Sequence, residues 1–207
     1  MKINFLHRVP SISKLSQTAS SLFILLVLVA CGGTGAVATS SAVAYRATNT
    51  TLQSDLLPYH DPTYNFDMQF PRSWYIGQTS GSGYGIAAAS SNDPTQPRAA
   101  LIVAVEPVTG TLNLVQAASR AEATIQGQAG VTGFTIDDSH PATVNGLSAQ
   151  ERSYSYTLNQ QSIRQRSVYI GDQHQLYDVS LVAPRALYGQ YDQLFSTIIS
   201  TFKGGSP

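Results

Sequence analysis

A single cysteine among 207 residues excludes an internal disulfide, so packing and hydrogen bonding alone must hold any folded part together. Charge is scarce: Asp, Glu, Lys and Arg are 12% of the chain, and twelve acidic residues cancel twelve basic ones. The cancellation hides an asymmetry. Lys2, Arg8 and Lys14 precede an apolar run and every acidic residue follows it, leaving +3 ahead and −3 behind. A mildly acidic body has no cationic face to neutralise a phosphate backbone, which argues against nucleic acid as a partner. Catalytic signatures are missing as well. Gly81-Ser82-Gly83-Tyr84-Gly85 departs from the G-x-S-x-G spacing, and the chain has no P-loop, dinucleotide glycine motif or H-E-x-x-H. No enzyme and no cofactor are expected, although a triad assembled in space keeps an envelope hydrolase as a remote alternative.

What is present begins with export. A basic start is followed by Leu22 to Ala30, nine apolar residues, and then by small ones. Such a run is shorter than the roughly 20 residues a membrane-spanning helix needs and suits a signal peptide. No charge falls between Lys14 and Arg46, so an uncleaved anchor is the rival; the weak hydropathy of Gly32 to Ser41 argues against it. Leu28-Val29-Ala30-Cys31 resembles the lipobox of bacterial lipoproteins. That resemblance implies a diacylglyceryl thioether on Cys31 and cleavage between Ala30 and Cys31. A thiol is required because its thiolate takes the lipid. The plainer alternative is a small hydrophobic residue that happens to end an apolar run. Two or three acyl chains anchor stably, so the expected protein is exported and lipid-anchored to the outer face of the cell membrane or to the outer membrane.

The expected organisation is a signal peptide over 1–30, a flexible tether over 31–58 and one domain over 59–204. The tether, rich in Gly, Ala, Ser and Thr, has too little apolar surface to offset ordering entropy. In the domain, Tyr64, Phe66, Met68 and Phe70 alternate with polar residues, placing the large groups on one face of a strand that Pro71 ends. Tyr84–Ala89 and Ala99–Val105 read as further strands, the second apolar throughout and therefore interior. Thr111 is a cap for a helix with Leu114, Val115, Ala118, Ala121 and Ile125 on one face and Gly127 or Gly130 at its end. Phe134 and Ile136 lead into a polar turn, Asp137 to Pro141. Asn145-Gly146 marks a tight hairpin, and Gln150–Leu158, Ser162–Ile170 and Gln175–Val182 form a meander. Beyond Pro184, Leu187, Tyr191, Leu194, Phe195, Ile198, Ile199 and Phe202 form one helical stripe.

These elements give an α+β domain, an antiparallel β-sheet covered by helices. The Phe70-Pro71-Arg72-Ser73-Trp74 element, the strand-to-helix step ALIVAVEPVTGTLNLVQAA, the Asn-Gly hairpin and a closing helix ending Ser-Thr-Phe are similar to the PsbP/Mog1-like family. The similarity runs from about Tyr59 to Lys203, and it is nearest to the small PsbP-like lipoproteins of bacteria. It implies an αβα sandwich whose members mostly assist or bind other proteins.

Site residues are few. Arg164 and Arg166, two apart on a strand, share a face and could meet an anion or a partner; Tyr154 and Tyr156 could extend that surface, since tyrosine joins large area to a polar tip. Cross-strand ion pairing and half-buried sheet packing are the simpler accounts. Asp137, Asp138 and His140 offer donors for a divalent ion, against the plainer reading of a self-capping turn; no metal is expected there. The function expected is a noncatalytic protein-binding or complex-assembly module, attached to the membrane through Cys31 and serving a protein partner. The alternative is a small-solute or divalent-metal binding lipoprotein of the envelope. Metabolic labelling with a clickable fatty acid should mark the wild-type chain and leave Cys31→Ala unlabelled and released from membranes. Equal labelling of both would remove Cys31 as the lipid acceptor.

Overall fold

The computed structural model describes residues 55–78, 84–89, 98–172 and 174–204. The expected signal peptide, Ala30, Cys31 and the tether through residue 54 lie outside the described residues. Among those described, no helix is long and apolar enough to cross a membrane.

The first strand, β1 (Leu56–Asp61), opens slightly before the boundary expected at residue 59 and pairs antiparallel with β2 (Phe66–Pro71). The β2 alternation holds: Phe66, Met68 and Phe70 are buried and Asp67 is exposed. Seven more strands follow. They are β3 (Tyr75–Gln78), β4 (Tyr84–Ala89), β5 (Ala100–Pro107), β6 (Val131–Val144), β7 (Leu147–Leu158), β8 (Gln161–Gly171) and β9 (Gln175–Pro184). They form one antiparallel sheet in the order β3-β4-β5-β9-β8-β7-β6. The apolar β5 is interior, as its composition requires.

Strand alternation sends side chains to two layers. On β9, Tyr177, Val179, Leu181 and Ala183 join the main core with the β1–β2 hairpin and two C-terminal helices, α2 (Arg185–Tyr188) and α3 (Asp192–Ser200). Leu176 faces the other way, onto α1 (Leu114–Gln126), whose Ala117, Ala118 and Ala121 lie against it and Tyr169. The sheet thus lies between helical layers, the architecture expected.

Local details differ from expectation. The cap of α1 is Asn113, whose Oδ1 accepts the Gln116 N–H at 3.0 Å, because the helix starts two residues later than a Thr111 cap would set. Val115 is exposed, and Glu122 takes a place on the buried face. The single final helix is two, broken at Gly189-Gln190, yet the apolar stripe still faces the core. Asp137 to Pro141 is no turn; it continues β6. Its position at the sheet edge explains this, since an edge strand tolerates a proline, and register shifts at Thr132/Thr135 and Ile136/Asp138 absorb the irregularity.

The hairpin at Asn145-Gly146 forms with φ +48° and +86°, the mirror-image turn that suits strand twist. Asn145 also donates to the Ser200 and Phe202 carbonyls, so this turn satisfies the C-terminal end of α3. Leu194 is buried in the layer that α3 closes. Leu194→Ala should cost about 2 to 5 kcal/mol, read as a lower denaturant midpoint with unchanged slope.

Candidate functional site

Arg164 and Arg166 sit on β8 opposite Ser155 and Ser153 of β7, on the α2–α3 side of the sheet. Their surroundings differ sharply. Arg166 donates from Nε and NH2 to the two Glu151 oxygens at 2.7 and 3.2 Å, and from NH1 to Asp192 Oδ1 at 3.0 Å and Ser196 Oγ at 2.8 Å. Its guanidinium lies 5.3 Å from the centroid of the Phe195 ring. Burial lowers its pKa, but the bonds and charges of Glu151 and Asp192 outweigh that and raise it. This arginine joins β7, β8 and α3.

Arg164 is held without being consumed. Its guanidinium lies 5.0 Å from the centroid of the Tyr188 ring, and its one ion pair among the described residues is with Asp137, 3.9 Å from Nε. Nε has no hydrogen-bond partner. Asp137 instead accepts from the Ser155 hydroxyl at 2.5 Å and the Thr135 hydroxyl at 3.3 Å. Beside them His140 Nδ1 lies 3.0 Å from Asp138 and its Nε2 lies 3.9 Å from Glu151. These residues fall into two groups across β6, β7 and β8, Asp137 with Arg164, and Asp138 and His140 with Glu151 and Arg166. Among the described residues no group of three His, Cys, Asp or Glu side chains is placed to hold a metal.

Tyr154 and Tyr156 correct the expectation of one shared surface. They point to the α1 side, 0% and 7% exposed, because neighbouring positions on β7 face opposite layers. The Tyr154 hydroxyl lies 3.4 Å from Glu122 and 3.2 Å from the Tyr169 hydroxyl, and Glu122 is 3.5 Å from Arg152. Burial is the first cause raising both tyrosine pKa values.

A second feature on that side was hidden in the sequence. Tyr156 donates to Gln165 (3.0 Å), Gln165 to Ser167 (3.0 Å), and Ser180 to Asp178 (2.6 Å), with Ser167 and Ser180 2.7 Å apart. Since Ser180 gives its proton to Asp178, Ser167 must donate to Ser180, and the whole chain ends on one carboxylate. Nothing in the spacing of these residues marks them as covered; the layer packed over them does that. Loss of water around Asp178, with the nearby Glu106 charge, pushes its pKa up to about 7 despite the Ser180 bond. Near the start of α1, a cleft of about 300 Å³ is lined by Glu106, Thr109, Asn113, Gln116 and Arg120 among others.

No family model and no curated protein matches this chain. Solved structures do. Cyanobacterial PsbP (CyanoP) from Synechocystis sp. PCC 6803 superposes with a TM-score of 0.60 at 13% identity, over 83% of this chain and 100% of that one. The Saccharomyces cerevisiae Ran-binding protein Mog1p gives 0.54 at 9% identity, over 72% and 95%. LpqN of Mycobacterium tuberculosis, involved in cell envelope biogenesis, gives 0.51 at 21% identity, over 72% and 90%. The described residues therefore share the PsbP/Mog1-like fold.

The Asp178 pKa sets a pH dependence. A folded pKa above the unfolded one means the native state holds the proton more tightly, so the contribution is present at low pH and lost as pH rises from 3.8 to about 7. Wild-type denaturant midpoints should fall across that window. Asp178→Asn should flatten the dependence and be the more stable protein at pH 8, by up to about 4 kcal/mol. Parallel curves for the two proteins would contradict this.

Proposed function

We propose that the domain is a noncatalytic protein-binding or complex-assembly module, held at the outside of a membrane by lipid on Cys31. The observation that carries the binding reading is the face around Arg164, a half-exposed side chain that lies over the Tyr188 ring and has one long ion-pair contact with Asp137, while its neighbour Arg166 is held by Glu151, Asp192 and Ser196. A side chain already held in place loses little entropy when a partner arrives. The fold, shared with a Ran-binding protein and a protein of envelope biogenesis, is consistent with this role. Catalysis has little to work with: among the described residues, His60 and His140 each face carboxylates, and no hydrogen bond joins either of them or His174 to a serine hydroxyl. The membrane part rests on the lipobox-like Leu28-Val29-Ala30-Cys31 alone.

Affinity capture from solubilised membranes, with Cys31→Ala as the matched control, should recover a reproducible protein partner that the control loses or holds weakly. Repeated empty captures would count against the reading.

A further inference from the structure

We infer that the cleft between β5 and α1 binds a free polar α-amino acid, Arg120 taking its carboxylate and Glu106 its ammonium group. This site lies on the opposite side of the sheet from Arg164 and goes beyond the protein-binding reading. One wall follows from helical spacing. Asn113, Gln116 and Arg120, three and four residues apart, fall along one face at the start of α1, and all three line the cleft. The other wall is the end of β5 and the connection beyond it. Glu106 stands opposite Leu176 in the β5–β9 register, and Leu176 packs beneath α1, so Glu106 shares that side of the sheet. Both walls are fixed before a ligand arrives. Val108 donates its N–H to the His174 carbonyl at 2.8 Å, and Asn113 caps the helix. Leu112 sits so close over Gly171 that a Cβ there would strike it, so the bare glycine lets the connection settle onto the sheet. A preformed cleft spares a ligand the cost of ordering it.

The charges name the ligand class. Glu106 and Arg120 are both exposed, and among the described residues neither side chain makes a hydrogen bond or an ion pair, with the other or with any third group. Opposite charges that line one cleft without meeting leave a gap for a molecule carrying both signs. The acidic end is reinforced, since the Glu106 charge reaches as far as Asp178 and helps to push that carboxyl up. A simple anion would gain Arg120 and be repelled by Glu106, and a simple cation would meet the reverse. A zwitterion gains at both ends. The volume of about 300 Å³ lies at the lower end of small-molecule sites, the size for an amino acid and too small for a protein segment. Thr109, Thr111 and the Gln116 amide supply neutral donors and acceptors to a polar side chain.

The test is isothermal titration calorimetry of the full chain in detergent with L-glutamine as the probe. Saturable binding at one site is expected. N-acetyl-L-glutamine lacks the ammonium group and L-glutamine amide lacks the carboxylate, so each should bind about tenfold or more weakly. Arg120→Gln and Glu106→Gln should each weaken L-glutamine by a similar factor. Both side chains are exposed and unpaired, so the thermal midpoints should match wild type and show that the fold is intact. Absence of saturable binding would overturn the inference. Equal binding of either one-charge analogue would do so too, as would wild-type affinity in either variant.

Discussion

Alternation along β7, β8 and β9 is the constraint from which the rest of the structure follows. β9 pairs with β5 on one side and β8 on the other, and each step along it changes layer. Tyr177, Val179, Leu181 and Ala183 close the main core, while Asp178 and Ser180 enter the polar chain on the α1 side. A slip of one residue would exchange the two sets and put a carboxylate among Phe195, Ile198 and Phe202. Register here is therefore held from both faces at once. With no disulfide possible within the chain, that double specification replaces a covalent one.

The same alternation separates two kinds of polar chemistry. On the α1 side, Tyr154, Tyr169, Glu122, Gln165 and the two serines are buried and bonded to one another, where an unmatched group would cost far more than a matched one adds. Alanines on α1 let the helix come close over the tyrosine rings. On the α2–α3 side the polar groups reach solvent, and the ion pairs there add little stability in water. Their use lies in holding side chains in place: Arg166 ties α3 to the sheet, and Tyr188 supports Arg164.

Strand β6 connects that face to the sheet edge. A 14-residue, mostly exposed edge strand presents unpaired backbone groups and invites edge-to-edge association. Two register shifts, Asp137, Asp138 and Pro141 work against it, since each interrupts or charges the ladder a second strand would need. The Asp137 carboxylate that helps blunt the edge also pairs with Arg164 on β8.

Period-2 and helical spacing, with Asn-Gly and proline punctuation, were enough to place the strands, the hairpin, α1 and the C-terminal stripe, because those signals are local. They also put Arg164 and Arg166 on one face. Spacing shows which residues share a face and is silent on which face becomes covered. That is why Tyr154 and Tyr156 read as a possible surface yet lie beneath α1, and why the polar chain of Gln165, Ser167, Ser180 and Asp178 left no signal in the sequence. The Asp137–Pro141 stretch has the composition of a turn, and only its place beside β7 at the sheet edge makes it a strand. The two arginines have equal standing in sequence; Glu151 and Asp192, brought together from β7 and α3, hold Arg166, while Arg164 has only a long contact with Asp137 and the Tyr188 ring. The sequence by itself determined the elements and their apolar faces, since both follow from neighbours along the chain. Burial and side-chain partners, those of the two arginines included, were decided by the tertiary structure, because each depends on groups distant in sequence.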